Sequence, residues 1–410
     1  HRLLHRLAQG GAQVIAVGDD DQAIYGWRGA DVRGILRFEK DYEGAEVVRL
    51  TENYRSTANI LGAANRVIAN NQERLGKDLV PTAGEGEAVE AIRVDDGRAE
   101  ARLVRKTVER LQREEAIAPG ETCVLVRTNA QLRPIEAALA SAGVGYKVRG
   151  GKALFETKPV RDLLAYLRLA VQPASDPDLL RIINRPTRGL RKVGVGRLLE
   201  AAGGAPLLPW LRQNPDAAKG RAKKGVTELL ELFEDLPSDP ISALDHLLHE
   251  GGYLDYVLAD DPARGPEREA QIEALMSSAQ GLAQEDLAEF VTGWSLAGGA
   301  DLSRGEGVQL MTLHAAKGLE FDAVILPGWD EGLFPMPDQD GGGLERLEEE
   351  RRLAYVGLTR AKRRVVVVSA DYRIHHGKPL NGRPSRFLTE MEGPGVSWWR
   401  DDSLLGLRPG

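Results

Sequence analysis

The sequence predicts an α/β protein in which a parallel sheet with crossover helices is interrupted by an all-helical insertion. Three observations predict it. Strand and helix signals alternate through the first 158 residues, and strands separated by helices of about 10–15 residues indicate parallel sheets. Near Pro159 the strand signal stops, and to about Gly305 only helical stretches broken by Pro and Gly follow. It then returns at Val308-Gln309-Leu310-Met311-Thr312.

Taken in order, Arg2–Gln9 reads as a helix ending at Gly10-Gly11. Val14-Ile15-Ala16-Val17 reads as an apolar strand ending at Gly18-Asp19. A helix at about Val32–Lys40 precedes a strand at Val47–Leu50. Periodicity then predicts a helix over Ile60–Ala69, a strand over Ala88–Val94, a helix over Glu100–Glu114 and a strand over Thr122–Arg127. A helix over 130–141 stops at Gly143. The insertion contains helices at 160–171, 176–184, 193–202, 226–236, 240–249, 266–282 and 284–296. Ala323–Leu326 and Arg364–Ser369 complete the strands, and the Gly/Pro-rich stretch from about Glu392 reads as a loose tail. The expected division is therefore 1–50, 51–158, 159–305, 306–390 and a tail of 391–410.

Composition narrows the function classes. The 410 residues carry a formal net charge of −7, with 42% hydrophobic and 28% charged residues. This is ordinary globular composition, which excludes wholesale disorder and collagen-like chains. No apolar stretch approaches the length of about 18 residues that a transmembrane helix needs, so no membrane partner is expected. The single Cys123 rules out an intramolecular disulfide and a CxxC metal site. Such cysteine usage suits a reducing compartment, and the cytoplasm is the expected location. The chain opens with His1-Arg2-Leu3-Leu4-His5, which reads as a fragment whose start lies elsewhere. Between Arg181 and Gly225, eleven basic residues stand against two acids, Glu200 and Asp216. Such a block is either a solvated helical face or a surface for a phosphate backbone.

Four strings are dense in chemistry. The first, Gly18-Asp19-Asp20-Asp21-Gln22-Ala23-Ile24-Tyr25-Gly26-Trp27-Arg28, follows a strand end, where open α/β sheets bind ligands. Its acids suit either a Mg²⁺ site or a capped turn. Tyr25, Trp27 and Arg28 form either a stacking platform for unpaired bases or a loop whose Trp tucks into the core. The second, Thr51-Glu52-Asn53-Tyr54-Arg55-Ser56, offers an Arg to a phosphate or a cap to a helix. The third is Thr312-Leu313-His314-Ala315-Ala316-Lys317-Gly318-Leu319-Glu320-Phe321-Asp322, a polar loop between strands. The fourth, Glu348-Glu349-Glu350-Arg351-Arg352 to Leu358-Thr359-Arg360-Ala361-Lys362, reads as a helix leading into a strand, with Arg360 near the helix end.

In this order and spacing the strings resemble motifs III to VI of superfamily 1A DNA helicases, the UvrD/PcrA/Rep group. The resemblance runs over about residues 1–390 and includes Val126-Arg127-Thr128-Asn129-Ala130-Gln131, Phe155-Glu156-Thr157-Lys158 and Asp330-Glu331-Gly332-Leu333-Phe334-Pro335. It implies an ATP-driven motor with ATP between two RecA-like cores and single-stranded DNA across them. Residues 1–50 would end domain 1A, 51–158 with 306–390 would form domain 2A, and 159–305 would be its helical 2B insertion. Carried over by position, Gln22 senses the terminal phosphate, Tyr54 stacks on adenine, Arg55 contacts the γ-phosphate, Glu320 binds the ribose and Arg360 is the arginine finger. Gln22, Arg55 and Arg360 would be the catalytic set. Tyr25, Trp27, Arg28, Arg127, Asn129 and His314 would contact DNA.

The expected activity is 3′-to-5′ DNA unwinding in repair or replication. Its partners would be single-stranded DNA, single/double-strand junctions and repair proteins. The alternative is a non-catalytic DNA-binding or regulatory module.

A phosphate-cradling loop needs G-x-x-x-x-G-K-[ST]. The nearest string, Gly150-Gly151-Lys152, has Tyr146 at the first Gly position and Ala153 at the hydroxyl position. ATP is the implied cofactor, with the Mg²⁺ ligands expected upstream of residue 1, no metal ligand within the chain and no hydrolysis by these residues alone. The sequence departs from the family at Met336, where His is common, and at His376, where Phe is common. Its helical insertion has Arg188-Gly189-Leu190-Arg191 and Gly194-Val195-Gly196 where the family has a Gly-Ile-Gly turn. If Trp27 stacks on a base, Trp27→Ala weakens oligo-dT binding by about 1–3 kcal/mol in a fluorescence titration. Unchanged affinity places the indole in the core.

Overall fold

The computed structural model describes residues 13–26, 32–42, 44–149, 154–280, 287–292, 307–338, 341–375 and 378–400. The expected helix at Arg2–Gln9 lies outside them, as do Trp27, Arg28, Lys152 and His376. In chain order the main elements are β1 (Glu52–Thr57), α1 (Ala58–Ile68), β2 (Val80–Ala83), β3 (Val89–Asp96), α2 (Gly97–Glu114), β4 (Thr122–Val126), α3 (Leu132–Ser141) and β5 (Tyr146–Val148). Helices α4 (Lys158–Val171), α5 (Asp176–Ile182), α6 (Lys192–Ala202), α7 (Leu207–Gln213), α8 (Arg221–Glu234), α9 (Pro240–Leu248), α10 (Tyr253–Asp260) and α11 (Gly265–Gln280) follow. The chain continues through β6 (Val308–Thr312), β7 (Phe321–Leu326), α12 (Gly343–Leu358), β8 (Ala361–His375), β9 (Lys378–Asn381), α13 (Arg386–Met391) and β10 (Val396–Arg400). These elements divide between two compact units, residues 1–129 with 308–373 and 379–410, and residues 130–307 with 374–378.

In the first unit, six parallel strands among the described residues run in the order β10–β3–β8–β7–β4–β6. Strand β4 reads Thr-Cys-Val-Leu-Val and is buried throughout, the signature of a central parallel strand covered on both faces. Asp96 starts α2 by accepting from the N–H groups of Arg98 and Ala99 at 2.8 and 2.7 Å. Helices α1, α12 and α13 share one apolar core with the strands, built around Ile60, Val67, Val324, Tyr355 and Phe387. Arg373 on β8 ties β8, α2 and the segment after β7 together by pairing with buried Glu100 and Asp330.

Two sequence expectations change here. Val14–Val17 and Val47–Leu50 form no strand, and Val17 is 91% exposed. Their β-branched residues favour extended backbone. A parallel strand persists only beside a hydrogen-bonded neighbour, and none pairs with them among the described residues. Conversely, Val396–Arg400 is not loose. It adds to the sheet beside β3, with Trp399 opposite Ile92. The Gly393-Pro394-Gly395 turn read as the start of a tail is the entry to this strand. The helix expected over Val32–Lys40 is two single turns, Arg33–Leu36 and Phe38–Asp41.

The second unit is mainly helical, α3–α11, with short β5 as its strand. Helices α7 and α10 were not legible in the sequence because each is only about two turns long and bounded by Pro or Gly. The polar centre is Asp162, whose side chain is fully buried. It lies 2.7 Å from nitrogens of both Arg181 and Arg185 and accepts from the Tyr253 hydroxyl at 2.9 Å. Arg188 is buried as well, 5.8 Å above the Tyr166 ring. Three cations of the basic block therefore serve the interior. Arg191, Lys192, Arg197, Arg212, Lys219, Arg221, Lys223 and Lys224 remain exposed. Removing a buried charge that holds two others in place is costly. Asp162→Ala is expected to destabilise the chain by about 3 kcal/mol in urea unfolding, and a change under 1 kcal/mol would contradict the role assigned to this carboxylate.

Candidate functional site

The site lies in the first unit, where the segment Asp19–Gly26 meets α12 and the loop between β6 and β7. Apolar Ile24 anchors the segment by entering the core completely. Asp19 caps the 3-10 turn Asp20–Gln22 by accepting from the Asp21 N–H. Gln22 Nε2 donates to Asp19 Oδ2 at 2.6 Å. This leaves Gln22 Oε1 facing Arg360, whose Nη2 donates to it at 3.3 Å.

Arg360 is 2% exposed, just beyond the end of α12. Its other donors reach the carbonyls of Val356 and Leu319, both at 3.1 Å, and the Thr359 hydroxyl at 3.3 Å. Burial, reinforced by the neighbouring Arg55 charge, lowers its pKa to about 10, so it stays cationic at neutral pH. Arg55 reaches the same corner from β1, donating from Nη1 to the Thr359 carbonyl at 3.4 Å and from Nε to Glu320 Oε2 at 2.7 Å. Lys362 stands 3.6 Å from Glu320. The hydrogen bond from Arg55 holds the Glu320 carboxyl below its ordinary value, with the Arg55 and Lys362 charges adding to the effect. Tyr54, one residue from Arg55 on β1, leaves its ring 75% exposed and donates its hydroxyl to Glu52, which pushes the phenol pKa up. Gln22, Arg55, Glu320 and Arg360 are thus brought together, and Tyr54 flanks them with its hydroxyl bonded to Glu52.

A second group begins three residues after Gln22. The Tyr25 hydroxyl donates to the His314 carbonyl at 3.3 Å, and the two rings lie 6.3 Å apart. Lys317 sits 5.1 Å above the Tyr25 ring and donates to the Gln22 carbonyl at 2.8 Å. The Gly26 N–H donates to Glu349 Oε1 at 2.8 Å. Arg127, just past β4, forks onto Glu350 at 2.7–3.1 Å, and the same carboxylate accepts from the Met336 N–H at 3.2 Å. Arg127, His314, Arg346, Glu349, Glu350 and Leu353 line a hollow of about 320 Å³. Asn129 is exposed two residues beyond Arg127. Lys317 and Arg346 were not singled out from the sequence. The three-residue spacing from His314 to Lys317 in one loop was the available signal for the first.

The acidic trio Asp19, Asp20 and Asp21 brings its carboxylates within 4.8 Å of one another. It does not fit a Mg²⁺ ion. Lys77 lies 2.6 Å from Asp19, the Leu75 N–H donates to Asp20 at 2.7 Å, and Arg74 forks onto Asp21 at 2.9 and 3.1 Å. Burial raises the Asp21 pKa against the opposing pull of Arg74. The trio is a capped and neutralised turn.

The fold and site define an α/β protein that gathers two arginines, a glutamine and a glutamate at one corner of a parallel sheet, with an aromatic and basic group on the same loop. Residues 48–229 and 260–372 match the model of the UvrD-like helicase C-terminal domain, and residues 1–43 match that of the UvrD/REP helicase N-terminal domain. The chain belongs to the UvrD-like helicase family. It is 38% identical to a probable DNA helicase II homolog of Rickettsia conorii over 92% of its own length and 60% of the relative's. It is 38% identical to DNA helicase II of Escherichia coli K12 over 94% and 56%, respectively. Against the ATP-dependent DNA helicase PcrA of Leuconostoc citreum the identity is 35%, covering 95% and 55%. The chain therefore spans somewhat over half the length of these relatives. Among solved structures, the C-terminal domain of a possible DNA helicase from Lactobacillus plantarum is 12% identical. It covers 84% of this chain and 98% of that one at a TM-score of 0.35, too distant to bear on the fold.

The Arg55–Glu320 pair makes a pH prediction. Because the folded state lowers the Glu320 pKa, the pair's stabilisation is present above the ordinary carboxylate value and is lost as pH falls through the folded value. Arg55→Ala should move the Glu320 carboxyl back up in an NMR titration. An unmoved titration would mean that Arg55 does not set it.

Proposed function

We propose that these residues are the downstream part of an ATP-dependent, 3′-to-5′ DNA translocase and helicase that works in repair or replication in the cytoplasm. In this reading residues 1–50 end one RecA-like domain, 51–158 and 306–390 form the second, and 159–305 are its helical insertion. Its partners are single-stranded DNA, single/double-strand junctions and repair proteins. The observation that carries the reading is that one short segment serves both groups. Gln22 accepts from Arg360, and Tyr25 sits three residues on beside His314 and Lys317.

The residues fit a nucleotide polyphosphate. Arg55 lies close enough for its charge to add to the burial that depresses the Arg360 pKa, and an anion between them would relieve that repulsion. Bound ATP would supply the free energy of its terminal phosphoanhydride. Arg360 and Arg55 would hold positive charge against the terminal phosphate, and an arginine so placed contributes about 10³–10⁵ in rate. Glu320 would accept from a ribose hydroxyl, the open Tyr54 ring would take the adenine face, and Gln22 would report the phosphate to its own loop. Tyr25, Trp27, Arg28, Arg127, Asn129 and His314 would hold the bases and backbone of the strand. The carboxylate cluster among the described residues, Asp19–Asp21, is already neutralised and leaves no open site for Mg²⁺.

A second reading, a DNA-binding or regulatory module without ATPase activity, is favoured by one observation. No G-x-x-x-x-G-K-[ST] string occurs in the 410 residues. DNA-stimulated ATP hydrolysis separates the two. The 410-residue chain alone is expected to be inactive, and a chain of the relatives' full length is expected to be active. Arg360→Ala in the longer chain should cut turnover by about 10³-fold or more while nucleotide affinity stays within severalfold. Equal loss of turnover and binding would make Arg360 a structural residue.

A further inference from the structure

We infer that Arg346, which lies outside the residues assigned above, is a further contact for the phosphate backbone of the single strand. The inference rests on the reading of Arg127 and His314 as DNA contacts. Arg346 is half-buried in the first turn of α12 and lines both the hollow of about 320 Å³ shared with Arg127 and His314 and a larger one of about 760 Å³ that reaches Tyr25 and Lys317. It shares the wall common to the two hollows with Glu349.

What distinguishes it is that its charge is uncommitted among the described residues. On the same helix Arg351 pairs with Glu390 at 2.8 Å and Arg352 with Glu348 at 3.4 Å. Across the hollow Arg127 is forked onto Glu350, and Lys317 is bonded to the Gln22 carbonyl. Arg346 makes no side-chain hydrogen bond or ion pair with any described residue. The two carboxylates that line the smaller hollow already accept hydrogen bonds. Glu350 accepts from Arg127 and the Met336 N–H, and Glu349 accepts from the Gly26 N–H.

A guanidinium offers five N–H donors in a planar fork suited to phosphate, and a half-buried one without an acceptor is poised for an anion from outside. Arg127 Nη1, which makes no bond among the described residues, faces the same requirement. A phosphodiester seated in the smaller hollow would satisfy both arginines. A chain threading on toward the larger one would bring its bases to Tyr25.

The test is oligo-dT binding by fluorescence anisotropy across a salt series, with the 410-residue chain and its Arg346→Lys, Arg346→Gln and Arg346→Glu variants. The expected order of affinity follows charge. Lys stays near the parent, Gln falls several-fold to about tenfold, and Glu falls further. Loss of one phosphate contact should flatten the log–log salt slope by about 0.7. Sodium phosphate at matched ionic strength should compete no better than sodium chloride, and stronger competition would assign Arg346 to the free ion instead. Parent-like affinity and slope for Arg346→Gln, with the parent binding well, would overturn this inference alone. A parent chain that does not bind oligo-dT would overturn it together with the DNA-contact reading on which it rests. Arg346 holds no side-chain partner among the described residues, so thermal melting of all three variants should match the parent and exclude misfolding as the cause.

Discussion

A guanidinium carries five N–H donors and a charge that does not titrate away near neutral pH, so burying one dictates what must surround it. Arg360 is buried at the junction of three pieces of chain. Its partners come from the last turn of α12, from the loop between β6 and β7, and from the Gln22 side chain. None of these segments can shift without costing Arg360 one of its hydrogen bonds, and a buried donor left unsatisfied costs about 1–3 kcal/mol. The placement of Gln22, and with it the run to Gly26, follows from that requirement together with the burial of Ile24.

This constraint makes the two groups of the site one network. From Arg360 the contacts pass to Gln22, through its carbonyl to Lys317, from Lys317 to the Tyr25 ring, and from the Tyr25 hydroxyl to His314. A group that bound Arg360 and Arg55 would compete with Gln22 Oε1 for the Arg360 donor, and a ligand on the Tyr25 ring would act on Lys317. Contiguity of this kind is a physical basis for coupling, in which both ligands bias the same element.

The sequence made the sheet and the site legible to different degrees. Buried parallel strands such as Thr122–Val126 and Val365–Val368 announce themselves as apolar β-branched runs, and amphipathic helices such as α2 by their period. The runs at Val14–Val17 and Val47–Leu50 carry the same local signal, but pairing is a property of neighbours and not of the run. Val396–Arg400 failed in the opposite direction, because Gly and Pro just before it masked a strand held by β3. At the site, the four strings located Gln22, Arg55, Glu320 and Arg360. Their convergence could not be read from spacing, since Gln22 and Arg360 are 338 residues apart. The bonding of Arg127 to Glu350, and the lack of a side-chain partner for Arg346 among the described residues, depend on side-chain placement that no linear pattern encodes.

The central claim is that the Gln22 side chain joins nucleotide sensing to DNA gripping. The most direct measurement compares DNA stimulation of ATP hydrolysis in a chain of the relatives' full length with and without Gln22→Ala, alongside separate affinities for nucleotide and oligo-dT. The account predicts that both ligands still bind within severalfold while stimulation by DNA collapses toward the basal rate. Stimulation that survives intact would contradict it, leaving Gln22 as no more than an acceptor that completes the burial of Arg360.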